Sequence, residues 1–142
     1  MDIIELKNVT YTYPLADSPS LEDFSFTFEK GKFYAILGTN VSGKTTLCDI
    51  IRGFIPQFYH GDLEGEVLFK GEPLSDYTLS ELAPHMGYVF QNPFNQITGA
   101  RDNVFEEIAY GLENLGVEPA EIEKIVNDVM AKTNITSLAD KN

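Results

Sequence analysis

Gly38-Thr39-Asn40-Val41-Ser42-Gly43-Lys44-Thr45 decides how this chain folds. The spacing is G-x-x-x-x-G-K-[ST], that of a phosphate-binding loop. Glycines let the backbone curl so that successive N–H groups point inward at phosphate oxygens. The start of the following helix adds the positive end of its dipole. Lys44 brings a full charge to the β/γ-phosphates, and the Thr45 hydroxyl can ligate the Mg²⁺ that travels with a nucleotide.

Such a loop has to follow a strand and open a helix. Lys32-Phe33-Tyr34-Ala35-Ile36-Leu37, just before it, is an aromatic and aliphatic run of strand length. After it, Leu47, Ile50, Ile51, Phe54 and Ile55 repeat with the period of a half-buried helix. The bland alternative, a Gly-rich turn with a fortuitous lysine, does not account for that order. Val41 is the discordant residue, since glycine is usual there. If the position requires φ > 0, a β-branched side chain is strained by roughly 1–3 kcal/mol. Either the loop differs locally there or nucleotide binding is weakened.

At 142 residues the chain has enough length for one core, and 43% hydrophobic content suits a globular protein. No apolar run reaches the length of a membrane span, and the acidic, alternating start is not a signal peptide. The formal net charge of −12 disfavours nucleic acid and anionic membrane surfaces as direct partners. An acidic protein can still hold a nucleotide, because that anion site is local. One cysteine, Cys48, excludes an internal disulfide and suits a reducing compartment. A helix start could lower its thiol pKa, but an inert buried filler is the reading preferred.

Residues 2–12 alternate as a strand through Ile4, Leu6, Val9 and Tyr11, with Tyr13 beyond. Pro14–Ser20 is a loop, and Leu21–Phe28 alternates again. Glu29–Lys32 is a tight turn, Pro56–Gly65 a loop, and Glu66–Phe69 a strand closed by a turn. Tyr88–Phe90 is expected as a short buried strand leading into Gln91-Asn92-Pro93. Asn103 with Glu106 has the capping-box spacing, and Pro119 suits a helix start. Ile122, Ile125, Val126, Val129 and Met130 form a second helical stripe, read as a core face.

Val9-Thr10-Tyr11-Thr12-Tyr13-Pro14, the loop continued by Thr45-Thr46-Leu47, and Tyr88-Val89-Phe90-Gln91-Asn92-Pro93 together resemble the first half of an ABC transporter ATPase domain. Gln91-Asn92-Pro93-Phe94-Asn95-Gln96 and the run Glu107–Gly116 look specifically like the ATPases of energy-coupling factor importers, the cobalt- and vitamin-type systems. Ile55–Tyr59 with Gly61 and Gly65-Glu66-Val67 resembles members with two ATPase domains in one chain.

The resemblance implies an α/β P-loop NTPase with an antiparallel β annex and the start of a helical subdomain, truncated. Residues 1–31 and 61–75 would be mostly annex, 32–58 and 86–98 the P-loop core and Q-loop, and 99–142 an incomplete helical subdomain. Tyr13 would stack on adenine, with Tyr11 the competitor if the register is off by two. Gly38, Asn40, Val41, Ser42, Gly43, Lys44, Thr45 and Thr46 would wrap the phosphates of ATP. Thr45 and Gln91 would reach Mg²⁺, and Gln91 the attacking water, as the one catalytic candidate. Phe94 and Ile97 would face a transmembrane subunit, with a plain core role as the alternative.

The implied partners are that membrane subunit and a second ATPase domain, as homodimer, heterodimer or tandem, with no nucleic acid. The implied location is peripheral, on the cytoplasmic face of the membrane. The family's signature loop, its second acidic strand and its switch histidine are not found in this sequence, and neither His60 nor His85 stands where that histidine belongs. An ATPase by family, this stretch alone is not expected to hydrolyse ATP. A non-transport ATPase of the same fold, or a degenerate binding module, are the other readings.

Overall fold

A computed structural model describes residues 2–142. It divides into two units, one ending at Gly87 and one spanning Tyr88–Asn142.

The first unit is built on a four-stranded antiparallel sheet. Its strands are β1 (Asp2–Thr12), β2 (Leu21–Glu29), β3 (Asp62–Phe69) and β4 (Glu72–Pro73), in the order β2-β1-β3-β4. The side chains that β1 buries change parity: Ile4 and Leu6, then Val9 and Tyr11. An unbroken strand would put these pairs on opposite faces. A bulge restores them to one face. Asn8 lies at φ 51, and the pairing of β1 shifts register there against both neighbours. β2 makes the same slip at Asp23, φ 44, and Asn8 Nδ2 donates to Asp23 Oδ1 at 2.8 Å. β3 meets the bulge with Gly65, where a Cβ would lie 2.4 Å from the Asn8 carbonyl oxygen.

Helix α1 (Lys44–Arg52) packs Leu47 and Ile50 into the core formed by that face of β1, with Ile55, Phe69, Leu74 and Leu82. The helical stripe foreseen from Leu47 to Ile55 does not stay on one helix. Gly53, at φ 83, caps α1 and begins the short α2 (Phe54–Gln57). The loop foreseen over Pro56–Gly65 is correspondingly shorter. A further short helix, α3 (Leu79–Leu82), is closed by a Thr78–Glu81 capping box.

Two strands expected from the sequence are absent among the described residues. Neither Lys32–Leu37 nor Tyr88–Phe90 forms a ladder. A strand is defined by the neighbour it bonds to, and neither segment pairs with a strand among the described residues. Phe33 and Leu37 are accordingly exposed, and Val89, expected to be buried, is 82% exposed. Tyr34 fastens the first segment: its hydroxyl accepts from the Glu29 amide at 3.0 Å, and its ring meets Phe28 edge-on.

In the second unit α4 (Val104–Asn114) and α5 (Pro119–Lys132) form an antiparallel pair around Ala109, Ile122, Val126 and Met130. Asn103 Oδ1 accepts from the Glu106 amide at 2.9 Å, and Pro119 occupies the first turn of α5.

Candidate functional site

The loop before α1 has the properties of an anion cradle. Gly43 caps the helix at φ 81 with no side chain over the first-turn amides, and that turn holds no acidic residue. The N–H groups and the positive end of the dipole are therefore left for a ligand. Gly43 is required twice over: its φ is left-handed, and a Cβ would lie 2.4 Å from the Ser20 carbonyl oxygen. At Gly38 a Cβ would lie 2.5 Å from Ser42 Oγ.

Lys44 folds across the loop. Its ammonium donates to the carbonyls of Gly38 (3.0 Å) and Thr39 (2.6 Å) and to Ser42 Oγ (3.3 Å). Although the chain is strongly acidic, no carboxylate among the described residues pairs with Lys44. Val41 does adopt the left-handed conformation, φ 66, and its side chain is fully exposed. The strain foreseen for a β-branched residue is present, and no packing compensates it.

A cavity of about 250 Å³ opens beside the loop, lined by Tyr13, Ser20 and residues 41–46. It brings together Tyr13, Val41, Ser42, Gly43, Lys44, Thr45 and Thr46. Gly38 joins them through Lys44, whereas Asn40 is exposed outside the lining. Between the two candidate tyrosines the geometry is distinct. Tyr11 is fully buried and its hydroxyl donates to the His60 carbonyl, while Tyr13 lines the cavity, 3.1 Å from Thr46 Oγ1. Sequence reasoning missed Ser20. Its backbone reaches Gly43 only because its amide bonds to the Tyr11 carbonyl at 2.8 Å, a long-range closure that leaves no local signal.

Cys48 is half-buried one turn further along α1. Burial, and secondarily the neighbouring Asp49, push its thiol pKa up. The helix dipole does not prevail, because its influence fades within the first turn.

Gln91 belongs to the second unit and is exposed. Asn92 caps the single turn that follows, accepting from the Phe94 amide at 3.2 Å. Phe94 and Ile97 are exposed, 77% and 60%, and belong to neither core cluster among the described residues. His60 and His85 are exposed as well. No helix among the described residues is long and apolar enough to cross a membrane.

The donor set suits a nucleotide triphosphate with its cation: bare amides, a helix end and an unpaired ammonium for the phosphates, and the Thr45 hydroxyl for a hard metal ion. Comparison with known proteins points the same way. The family profile described as ABC transporter matches residues 21–142. The chain is 39% identical over 141 residues to the energy-coupling factor transporter ATP-binding protein EcfA of Pediococcus pentosaceus, covering 99% of this chain and 48% of that one. It is 38% identical to EcfA1 of Lacticaseibacillus paracasei, with the same coverage. Among solved structures it is similar to cbiO1 of Clostridium perfringens, described as part of the ABC transporter complex cbiONQ. The TM-score is 0.81 at 29% identity, covering 99% of this chain and 53% of that one. The chain thus spans about half the length of the relatives it matches.

Proposed function

The chain belongs to the ABC transporter family, and from that premise we propose that it holds Mg·ATP on residues 38–46 as the nucleotide-binding part of an importer ATPase. The observation that carries the reading is Lys44, an ammonium with no carboxylate partner, set in the bare N-terminus of α1. The relatives bear the name of energy-coupling factor transporters, and this supports a role in uptake of a vitamin or metal ion through a membrane partner.

In this reading the amides of 41–46 and Lys44 bind the phosphates, Ser42 supports Lys44, and Thr45 holds Mg²⁺, with Gln91 carried as the catalytic and metal-side candidate that the family resemblance names. Mg²⁺ when bound neutralises charge at the β/γ-phosphates. Tyr13 supplies an aromatic face for adenine. The exposed Phe94 and Ile97 contact a transmembrane subunit, which would make the protein peripheral to the cytoplasmic face of the membrane. A second ATPase domain completes the assembly. Since the signature loop, acidic strand and switch histidine do not occur in residues 1–142, this stretch binds ATP without turning it over.

Titration of Mg·ATP into the chain tests this. Saturable binding that is lost in Lys44→Met supports it; equal affinity in that variant overturns it. The strained Val41 favours one other reading, a module whose loop no longer holds nucleotide. Tight binding with Val41 in place would dispose of that.

A further inference from the structure

Ser20 is held at two points, both through its backbone. Its amide donates to the Tyr11 carbonyl at 2.8 Å. Its own carbonyl oxygen faces Gly43 so closely that a Cβ on that glycine would lie 2.4 Å away. Leu21, the next residue, opens β2 and pairs with Tyr11. One contact thus ties Ser20 to β1 just before Tyr13, and the other ties it to the glycine that caps α1. Ser20 bridges the two parts of the cavity wall.

Those parts differ in chemistry. Tyr13 supplies an aromatic ring, and residues 41–46 supply amides, an ammonium and hydroxyls. Among the described residues, Ser20 is the one member of the lining that belongs to neither. The Tyr13 hydroxyl stands 3.1 Å from Thr46 Oγ1, so the two parts converge. A nucleoside triphosphate is built in the same order: a base, then a sugar, then phosphates. With the base on Tyr13 and the phosphates at the start of α1, the sugar falls at the junction, where Ser20 stands.

Ser20 brings to that junction a hydroxyl, a group that both donates and accepts. Its fixing contacts use backbone atoms, so the side chain is not consumed in holding the fold. Ser20 is half-buried after the exposed run 14–19, and among the described residues its hydroxyl makes no hydrogen bond within the chain.

We propose that Ser20 is a specificity-determining residue of the nucleotide site: its hydroxyl hydrogen-bonds a hydroxyl of the ribose, so that the site prefers a ribonucleotide to its deoxy analogue. The inference rests on the reading given above, with phosphates on residues 38–46 and the base on Tyr13. A site that bonds a ligand hydroxyl discriminates against the analogue lacking it, because its own polar group is then left unpaired.

The test is calorimetric titration of the full 142-residue chain with the Mg²⁺ complexes of ATP, 2′-deoxy-ATP and 3′-deoxy-ATP. In the wild type at least one deoxy analogue should bind about threefold to tenfold more weakly than ATP. Ser20→Ala keeps both backbone contacts and removes the hydroxyl. It should bind ATP as weakly as the wild type binds that analogue, with affinity for the analogue unchanged. Ser20→Cys fills the same space with a weak hydrogen-bonding group; it should lose the preference as well, and it covers the case in which the alanine variant fails to fold. A merely structural role would move all three nucleotides together and leave their ratios in place, and that result would overturn the proposal. Equal wild-type affinities for the three would overturn it too, as would a preference that survives both substitutions. No binding of ATP to the wild type would overturn the reading of the site itself, and this proposal with it.

Discussion

The hydroxyls of Tyr13 and Thr46 lie 3.1 Å apart, so a single hydrogen bond ties the end of β1 to the first turn of α1. Thr46 is buried and Tyr13 half-buried, with the Tyr13 ring edge-on to Tyr11 at 4.8 Å. The bond and the ring can be tested separately. Tyr13→Phe removes the bond and keeps the ring, and should cost about 0.5–1.5 kcal/mol in urea unfolding with ATP affinity little changed. Tyr13→Ala removes the ring. If the ring stacks on adenine, worth about 1–3 kcal/mol, ATP affinity falls while that for tripolyphosphate holds. An unchanged ratio of the two affinities would show that Tyr13 serves only the fold.

Val41 stores strain with nothing visible in return. A left-handed conformation costs an L-residue roughly 1–2 kcal/mol, and Val41 meets it with an exposed β-branched side chain. Val41→Gly releases this and gives back about 0.4–1 kcal/mol through the freer unfolded chain. The net should be a gain of about 0.5–1 kcal/mol, read as a higher urea midpoint at unchanged slope. A lower midpoint would mean that the valine is supported by something the loop geometry does not display.

Helix α3 depends on an ionised carboxylate. Glu81 accepts from the backbone amide and the hydroxyl of Thr78, both at 2.8 Å, and the backbone bond is the larger cause of its lowered pKa. With the folded pKa below the usual glutamate value of about 4.3, the bond's contribution is complete above that pH. It is lost as pH falls through the lowered folded value. Glu81→Gln should therefore lower stability at neutral pH, where the ionised carboxylate contributes in full, and flatten the acid limb, so that wild type and variant converge at low pH. An acid limb identical in wild type and variant would remove Glu81 from the account.

The local chemistry of the site could be read from residue types, and its closure could not. Glycines at 38 and 43, the lysine and the threonines are demanded by backbone curvature and charge, which act over a few residues. The sequence reading takes residues 2–12 as one alternating strand, and only the structure identifies the change of parity between Leu6 and Val9 as a bulge shared with Asp23. Ser20 beside Gly43 depends on a contact that residue type does not encode. The strand readings of 32–37 and 88–90 erred for a related reason. Apolar character describes what a segment wants to cover, whereas a strand also needs a partner edge.

The unpaired state of residues 32–37 has a consequence that can be measured. Phe33 and Leu37 are 96% and 91% exposed, and Tyr34, bonded to the Glu29 amide and stacked edge-on against Phe28, holds the segment on display. Each such side chain forgoes about 1.5–3 kcal/mol of available burial. Contiguous exposed apolar surface of this kind binds dyes and other proteins. The chain should therefore enhance the fluorescence of anilinonaphthalene sulfonate at neutral pH while fully folded. Phe33→Ser combined with Leu37→Ser should abolish most of that signal and leave the urea midpoint within about 0.5 kcal/mol, because neither side chain contributes to the core. A large loss of stability in the double variant would show that the two side chains are buried in solution, and that the segment is covered after all.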